Sequence, residues 1–346
     1  MPEKGAHSPG NARFRLLFRR RSADIASVYS RPVGIVGGGA WGLALAAAAA
    51  RTGTATVLFS RRSQSAANAP LPAGVVGVDS MSEVGRAARL VVLAVPSRVI
   101  RAVARELGGD LDGRHLLVHA VRGLEPTTLA PLSQVLRQET PTRRIGALGG
   151  PVLEPELRLG RPSVMVAGSL YPEVTEAVSS AFGGPVVRVY ATNDLTGVEL
   201  ASALMGCLAV GVGYAQQLGL SAGIMATLIT RGVEEAARIA AAAGARERTL
   251  LGLAGTGDLL ASIGQEERPE VVFGRSLAEG RSVDAARGDA KAFIEAEALI
   301  PKVAAWAEER QLPCPIFQGL AERLRTPIPA EVLVQKLMGS PRATLA

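Results

Sequence analysis

Apolar positions along the chain fall into two regimes. From Arg31 onward, short apolar runs of strand length alternate with segments of helical spacing. "VGIVG" (Val33 to Gly37) predicts a strand, and the alanine-rich "LALAAAAARTG" after it predicts a helix with Gly53 as its C-cap. "ATVLFS", "LVVLAVPSRVI", "HLLVHAVRG" and "IGALGGPVLEPE" predict further strands, the second ending at Pro96 and running into a helix. Alternation of this kind implies a parallel sheet with helices on both faces, with ligands at the carboxyl ends of its strands. After "VVRVYATND" strand signals fade, and Val198 to Leu218, Ile224 to Ala243 and Pro301 to Arg310 carry helical spacing. "GLAGTGDLL" reads as a glycine-rich break between helices. The expected fold class is α/β: a Rossmann-type doubly wound parallel sheet over residues 32–192, followed by an all-helical C-terminal domain over 193–340.

Composition narrows the setting. A chain of 346 residues, 48% hydrophobic and 20% charged, is long enough for two domains and a sizeable core. Its two cysteines, Cys207 and Cys314, lie far apart with no metal-ligand spacing, which points to a reducing compartment and to no disulfide or metal frame. The longest apolar run, near Ala44 to Ala50, is too short to span a bilayer, so a soluble, cytoplasmic chain is expected. The net charge of +7 resides partly in residues 1–31, with "RFRLLFRRR", read as a basic, disordered arm or an early start site. Contact of that arm with a membrane surface or RNA stays open as a lesser reading. The other basic residues are scattered along helical segments as solvated faces, and no nucleic-acid partner is expected.

The candidate chemistry begins at "GGGAWG". Gly37, Gly39 and Gly42 form GxGxxG between a strand and a helix, with Ala40 and Trp41 inside the motif. The first glycine permits the tight turn, the second lets backbone approach a pyrophosphate, and the third lets helix pack on strand. The second strand ends in Ser60, Arg61 and Arg62 rather than an acid. Arginine there accommodates a 2′-phosphate, favouring NADP over NAD, although both arginines facing solvent is an equal alternative. Pro96, Arg122 and the Gly150-Pro151 turn should surround one crevice at the strand ends.

From about Arg31 to Met338 the chain resembles bacterial NAD(P)-dependent glycerol-3-phosphate dehydrogenase. The matching pieces are "GGGAWGLALA", "LAVPS", "RGLE", "GGPVLEPE", "VYATNDLTGVELASAL", "LITRGVEE", "GLAGTGDLL", "FGRSLAEG", "FIEAEA" and "LPCPIFQGL", in the family's order. The resemblance implies reduction of dihydroxyacetone phosphate to glycerol 3-phosphate for phospholipid synthesis, in a homodimer. It places Gly37, Gly39, Trp41, Gly42, Pro96 and Glu295 at cofactor positions and Asp258 beside the catalytic lysine. It also exposes departures. The lysine position holds Met205 and the asparagine after it Gly206; the family's Lys-Gly is Arg122-Gly123; its Gly-Pro-Ser serine is Val152. The segment normally reading "SRNR" is "RPEV", so Arg268 stands first, Pro269 replaces an arginine and Glu270 an asparagine. The four lysines are Lys4, Lys291, Lys302 and Lys336, so none lies between residues 5 and 290 to replace the missing one.

Arg122 is therefore expected at the cofactor, at the substrate and in catalysis, and Gly150 and Arg268 at the substrate. Asp258 is expected either to find a new partner, such as Arg122 or Arg268, or to sit neutral in an apolar pocket as a proton donor. His119 is expected to be a satisfied core histidine, and Lys291 a solvated loop residue. Two readings follow. One is an oxidoreductase acting on a small carbonyl compound, phosphorylated or less charged, with the inherited activity weakened or redirected. The other is a non-catalytic protein that binds NAD(P)H as a sensor or partner.

Overall fold

The computed structural model describes residues 31–61 and 71–326, so residues 1–30 of the basic arm, Arg62 and Lys336 lie outside the described residues. The first half alternates strands and helices: β1 (Val33–Val36), α1 (Ala40–Arg51), β2 (Thr56–Phe59), β3 (Val75–Val78), α2 (Met81–Ala87), β4 (Leu90–Leu93) and α3 (Ser97–Gly108). It continues through β5 (Leu116–His119), α4 (Leu132–Glu139), β6 (Ile145–Gly149), α5 (Glu154–Leu159), β7 (Ser163–Ser169), α6 (Pro172–Phe182) and β8 (Val187–Thr192). The strands form one eight-stranded sheet in the order β3-β2-β1-β4-β5-β6-β7-β8. Order reverses between β1 and β4, and the crevice outside the carboxyl ends of those strands is where such sheets bind ligands. Apolar clusters cover both faces: Leu45, Leu58 and Phe182 belong to one, Ile100, Leu107 and Leu132 to the other.

One part of the sheet departs from the expected all-parallel arrangement. β7 runs antiparallel to β6, and β8 is parallel to β7. The link from β6 to β7 re-enters the sheet at the end it left, so it needs no crossover to the opposite edge.

The second half is helical: α7 (Leu195–Gln217), α8 (Ala222–Ala242), α9 (Glu247–Leu251), a π-helical turn (Leu253–Gly257), α10 (Asp258–Ile263), α11 (Pro269–Ala278), α12 (Val283–Ala290), α13 (Glu295–Glu309) and α14 (Pro315–Arg325). Asp194 starts α7. Its Oδ1 accepts from Gly197 N at 3.0 Å, and Oδ2 accepts from Arg246 N at 3.0 Å and Thr249 Oγ1 at 2.6 Å, which ties α7 to α9. This cap sets the helix start three residues before the periodic segment does. By length and hydropathy α7 could cross a membrane, unlike the Ala44 to Ala50 run, but 89% of its apolar window is buried by the helices around it. It is the axial core helix.

Two local expectations need correction. The helix expected to begin at Pro301 begins at Glu295, with Pro301 inside it; the proline gives up one backbone hydrogen bond without ending the helix. "GLAGTGDLL" is no open break: its glycines wind into the π-turn that leads straight into α10. A Cβ at Gly255 would lie 1.9 Å from the Leu250 carbonyl oxygen, so only glycine permits that winding.

Candidate functional site

The glycine turn after β1 carries three different steric demands. Gly37 has φ +126°, and a Cβ there would lie 2.3 Å from the Ala94 carbonyl oxygen. A Cβ at Gly42 would lie 1.8 Å from the Gly37 oxygen, so the helix could not close on the strand. Gly39 differs: a Cβ there meets nothing within 4 Å. Two glycines are thus required by packing, while the third borders open space at the start of α1, where backbone N–H groups can receive a phosphate. Trp41 fixes the turn by donating Nε1–H to the Ala120 carbonyl at 2.8 Å, linking the motif to the end of β5. These residues fit a dinucleotide pyrophosphate. Arg61 is exposed just past β2.

At the end of β4, Pro96 precedes α3, and the first N–H groups of α3 face a carboxylate from the helical half. Glu295 accepts from Ser97 N at 2.7 Å and also from Ser97 Oγ. Burial pushes the Glu295 carboxyl up, with the Ser97 donors pulling the other way. A Cβ on Gly123 would lie 2.7 Å from Glu295 Oε2, so that glycine leaves room for the carboxylate.

Arg122 leaves the end of β5 and crosses to the helices. Its Nη1 donates to both carboxylate oxygens of Asp258 at 2.8 and 2.7 Å, and its Nη2 donates to the Val152 carbonyl at 3.0 Å. Gly150, at φ +90°, makes the turn that presents that carbonyl. Asp258 also receives Arg268, whose guanidinium approaches both carboxylate oxygens at 3.4 Å and donates to Ser262 Oγ. Arg268 Nε donates to Glu270 Oε2 at 3.1 Å. Burial draws the Arg268 guanidinium down, but the Asp258 and Glu270 carboxylates more than offset this and the net shift is upward. The outcome is a chain of alternating charge, Arg122–Asp258–Arg268–Glu270, in which the two guanidiniums already have carboxylate partners.

Of the two alternatives for Asp258, the structure shows the paired one: its oxygens accept from both suggested partners, Arg122 and Arg268. Arg268, expected to meet substrate, is only 7% exposed and committed to carboxylates and Ser262. Arg122 keeps a side chain 25% exposed at the crevice. Met205 is fully buried and packs in the helical core, so it lines nothing. Gly206 beside it is buried as well, and a Cβ there would come into ordinary contact with the Arg122 carbonyl oxygen and Glu270 Oε1, both at 4.0 Å. Lys291 caps α12 and is exposed.

His119 is half satisfied. Its Nε2 pairs with Glu199 Oε1 at 2.9 Å in the core, and Glu199 also accepts from Ser133 N at 2.7 Å and Ser133 Oγ at 2.8 Å. Its Nδ1 has no partner. Glu199, Ser97 and Ser262 were not singled out from the sequence. A glutamate inside the apolar "VELASAL" was a signal that a polar partner waits in the fold; the two serines gave none.

Comparison with known proteins identifies relatives of the whole chain. The family model described as NAD-dependent glycerol-3-phosphate dehydrogenase N-terminus matches residues 32–175, and its C-terminus counterpart matches residues 194–335. A glycerol-3-phosphate dehydrogenase (NAD(P)+) from Trichlorobacter lovleyi is 32% identical over 322 residues, covering 88% of this chain and 97% of the relative. The corresponding protein from Azorhizobium caulinodans is 33% identical, covering 90% and 97%. The crystal structure of glycerol-3-phosphate dehydrogenase from Coxiella burnetii superposes with a TM-score of 0.83 at 25% identity, covering 90% of this chain and 100% of that one.

Proposed function

The chain belongs to the NAD-dependent glycerol-3-phosphate dehydrogenase family, and we propose that it is an NAD(P)-dependent oxidoreductase whose inherited turnover of dihydroxyacetone phosphate is strongly weakened or redirected. The observation that carries this is the charge chain Arg122–Asp258–Arg268–Glu270. Residues 32–192 hold the dinucleotide and 193–340 complete the substrate cleft. Gly37, Gly39, Ala40, Trp41 and Gly42 hold the pyrophosphate, Pro96 and Glu295 border the cofactor, and Arg61 with Arg62 favours NADPH over NADH. The bound nicotinamide supplies a hydride to a carbonyl carbon.

The chain's own residues must then serve the oxygen. Arg122 reaches the crevice, where it polarises the carbonyl while Asp258 holds it in place. Arginine hardly gives up a proton, so a general acid worth on the order of 10² to 10⁴ in rate is missing. Each charged hydrogen bond lost to the substrate phosphate weakens binding by roughly 1.5 to 3 kcal/mol. Leu251, Leu253, Leu260 and Ile263 are exposed together along the α9–α10 segment and support the expectation of a homodimer.

Calorimetric titration with NADPH and NADH, followed by oxidation assays on a panel of small carbonyl compounds, tests this reading. Dinucleotide binding with turnover of any panel member supports it. Binding without turnover of any of them supports the non-catalytic sensor or partner instead.

A further inference from the structure

A polar cavity of about 230 Å³ lies apart from the dinucleotide crevice, bordered by α4, the start of α7 and the link between α8 and α9. The sheet fixes its position. β7 runs antiparallel to β6 with Ser169 beside Gly146, and Thr192 of β8 lies beside Gly168. Leu170 and Asn193, which line the cavity, therefore follow at the end of the sheet where β6 begins. The glycine turn and Arg122 are at the other end.

Two guanidiniums border this cavity, Arg137 from α4 and Arg246 from the α8–α9 link. Arg137 is half-buried, and among the described residues its side chain has no partner. Glu139, the carboxylate on the same helix, is already taken by Arg101 at 2.6 Å and Arg105 at 2.9 Å. Arg246 Nη1 donates to Asn193 Oδ1 at 2.6 Å, and its guanidinium has no carboxylate partner among the described residues. Two like charges at one cavity repel each other, and an anion entering between them relieves both. The rest of the wall adds donors. Asn193 spends its oxygen on Arg246 and keeps its amide N–H groups, and Thr196 lends a hydroxyl. The carboxylate in the wall, Asp194, is 6% exposed, and its oxygens accept from Gly197 N, Arg246 N and Thr249 Oγ1. Ser133 Oγ donates to Glu199 and offers the cavity an acceptor.

We propose that this cavity is a second ligand site, which holds the phosphate group of a small phosphorylated molecule between Arg137 and Arg246. A phosphate monoester carries roughly −1.5 to −2 charges at pH 7 and three acceptor oxygens, so one group serves both guanidiniums. A carboxylate has two oxygens, enough for one bidentate guanidinium. The volume lies below the roughly 300 to 1,000 Å³ of pockets for drug-sized ligands, which suits a phosphate on a short body. Hydroxyls on that body meet Ser133, Asn193 and Thr196.

The test is thermal unfolding and calorimetry of the full chain with inorganic phosphate and, separately, ribose 5-phosphate, at constant ionic strength. An anion that binds only the folded chain raises Tm with its concentration. Arg137→Met and Arg246→Met should each weaken phosphate binding by at least about tenfold. Neither guanidinium is in an ion pair, so without phosphate both variants should unfold within roughly 2 °C of the wild type. Arg137→Lys, which keeps the charge, should retain part of the affinity. Repeating the titration with NADP+ present should leave phosphate affinity unchanged. Tighter binding of ribose 5-phosphate than of phosphate assigns the site to an ester, and equal or weaker binding assigns it to phosphate itself. No rise in Tm with either probe, a rise that both Arg→Met variants retain, or loss of phosphate binding when NADP+ is added overturns the proposal.

Discussion

Arg122→Met tests whether the ion pair across the crevice holds the two halves of the site together. Arg122 gives Asp258 its two shortest contacts, 2.8 and 2.7 Å, and Asp258 is 1% exposed. Breaking a buried pair by removing one partner costs about 3 to 5 kcal/mol, because a buried charge is left behind. Here the cost is smaller. The Arg122 side chain is 25% exposed, so part of its interaction is already screened by solvent, and Arg268 remains at 3.4 Å from the same oxygens. About 2 kcal/mol is expected, which at roughly 2 to 4 °C per kcal/mol for a chain of this size lowers Tm by about 4 to 8 °C. The assay is a double-mutant cycle with Asp258→Leu, followed by denaturant unfolding. Coupling of about 1 to 2 kcal/mol is predicted, since two groups in one ion-pair network do not lose stability independently. Additive single effects would show that the pair is not an energetic link, and the account of Asp258 as the residue that positions Arg122 would fail.

Three further predictions follow from individual residues. Gly39→Ala should fold normally yet lose about tenfold or more in NADPH affinity because its Cβ enters the open space at the α1 N-terminus, whereas Gly42→Ala should lose about 1 to 3 kcal/mol of stability through its clash with the Gly37 oxygen; equal dinucleotide binding by wild type and Gly39→Ala in calorimetry would contradict this. Burial pushes the Glu235 carboxyl up to about 7, with the N–H groups of Ile316 and Phe317 pulling it back. The folded chain therefore binds more protons than the unfolded one between the ordinary carboxyl range and pH 7, so this contribution is present at low pH and is lost as pH rises through about 7, with an upper bound of roughly 3 kcal/mol. Unfolding measured from pH 4.5 to 8 should show a decline that Glu235→Gln removes, and identical slopes in the two proteins would refute it. Cys207 and Cys314 are fully buried and burial raises both thiols, Cys314 to about 11, so a thiol reagent should label them only after denaturation.

What the sequence disclosed was whatever depends on local sterics. The Gly37–Gly42 turn was legible because glycine's freedom is needed at fixed offsets between one strand and one helix. The end of the sheet near Thr192 and the helical half after it followed from periodicity alone. The direction of β7 was not legible, since an apolar run of strand length looks the same in either sense. Nor was the winding of "GLAGTGDLL" into a π-turn, because glycine marks both open loops and tight backbone approach. In the site, residue types were legible but their pairing was open. Asp258 could be paired or neutral, and only the folded chain puts Arg122 from β5 and Arg268 from the α10–α11 link on the same carboxylate. Glu270, which stands where the resembled family has an asparagine, turns out to be held in place by Arg268. The Glu235 cap on α14 joins positions 81 residues apart and the His119–Glu199 pair positions 80 apart, separations that leave no spacing signal.

The central claim is that the guanidiniums of Arg122 and Arg268 are already paired with Asp258 and Glu270, which leaves them poor partners for a phosphate ester. The most direct measurement is kcat/KM for dihydroxyacetone phosphate with NADPH, beside a family member carrying the lysine that Met205 replaces. A value lower by at least about 10³ is predicted from the missing proton donor and the lost phosphate contacts together. A value near that of the relative would contradict the account, and would mean that Arg122 and Asp258 rearrange on substrate binding into a working site.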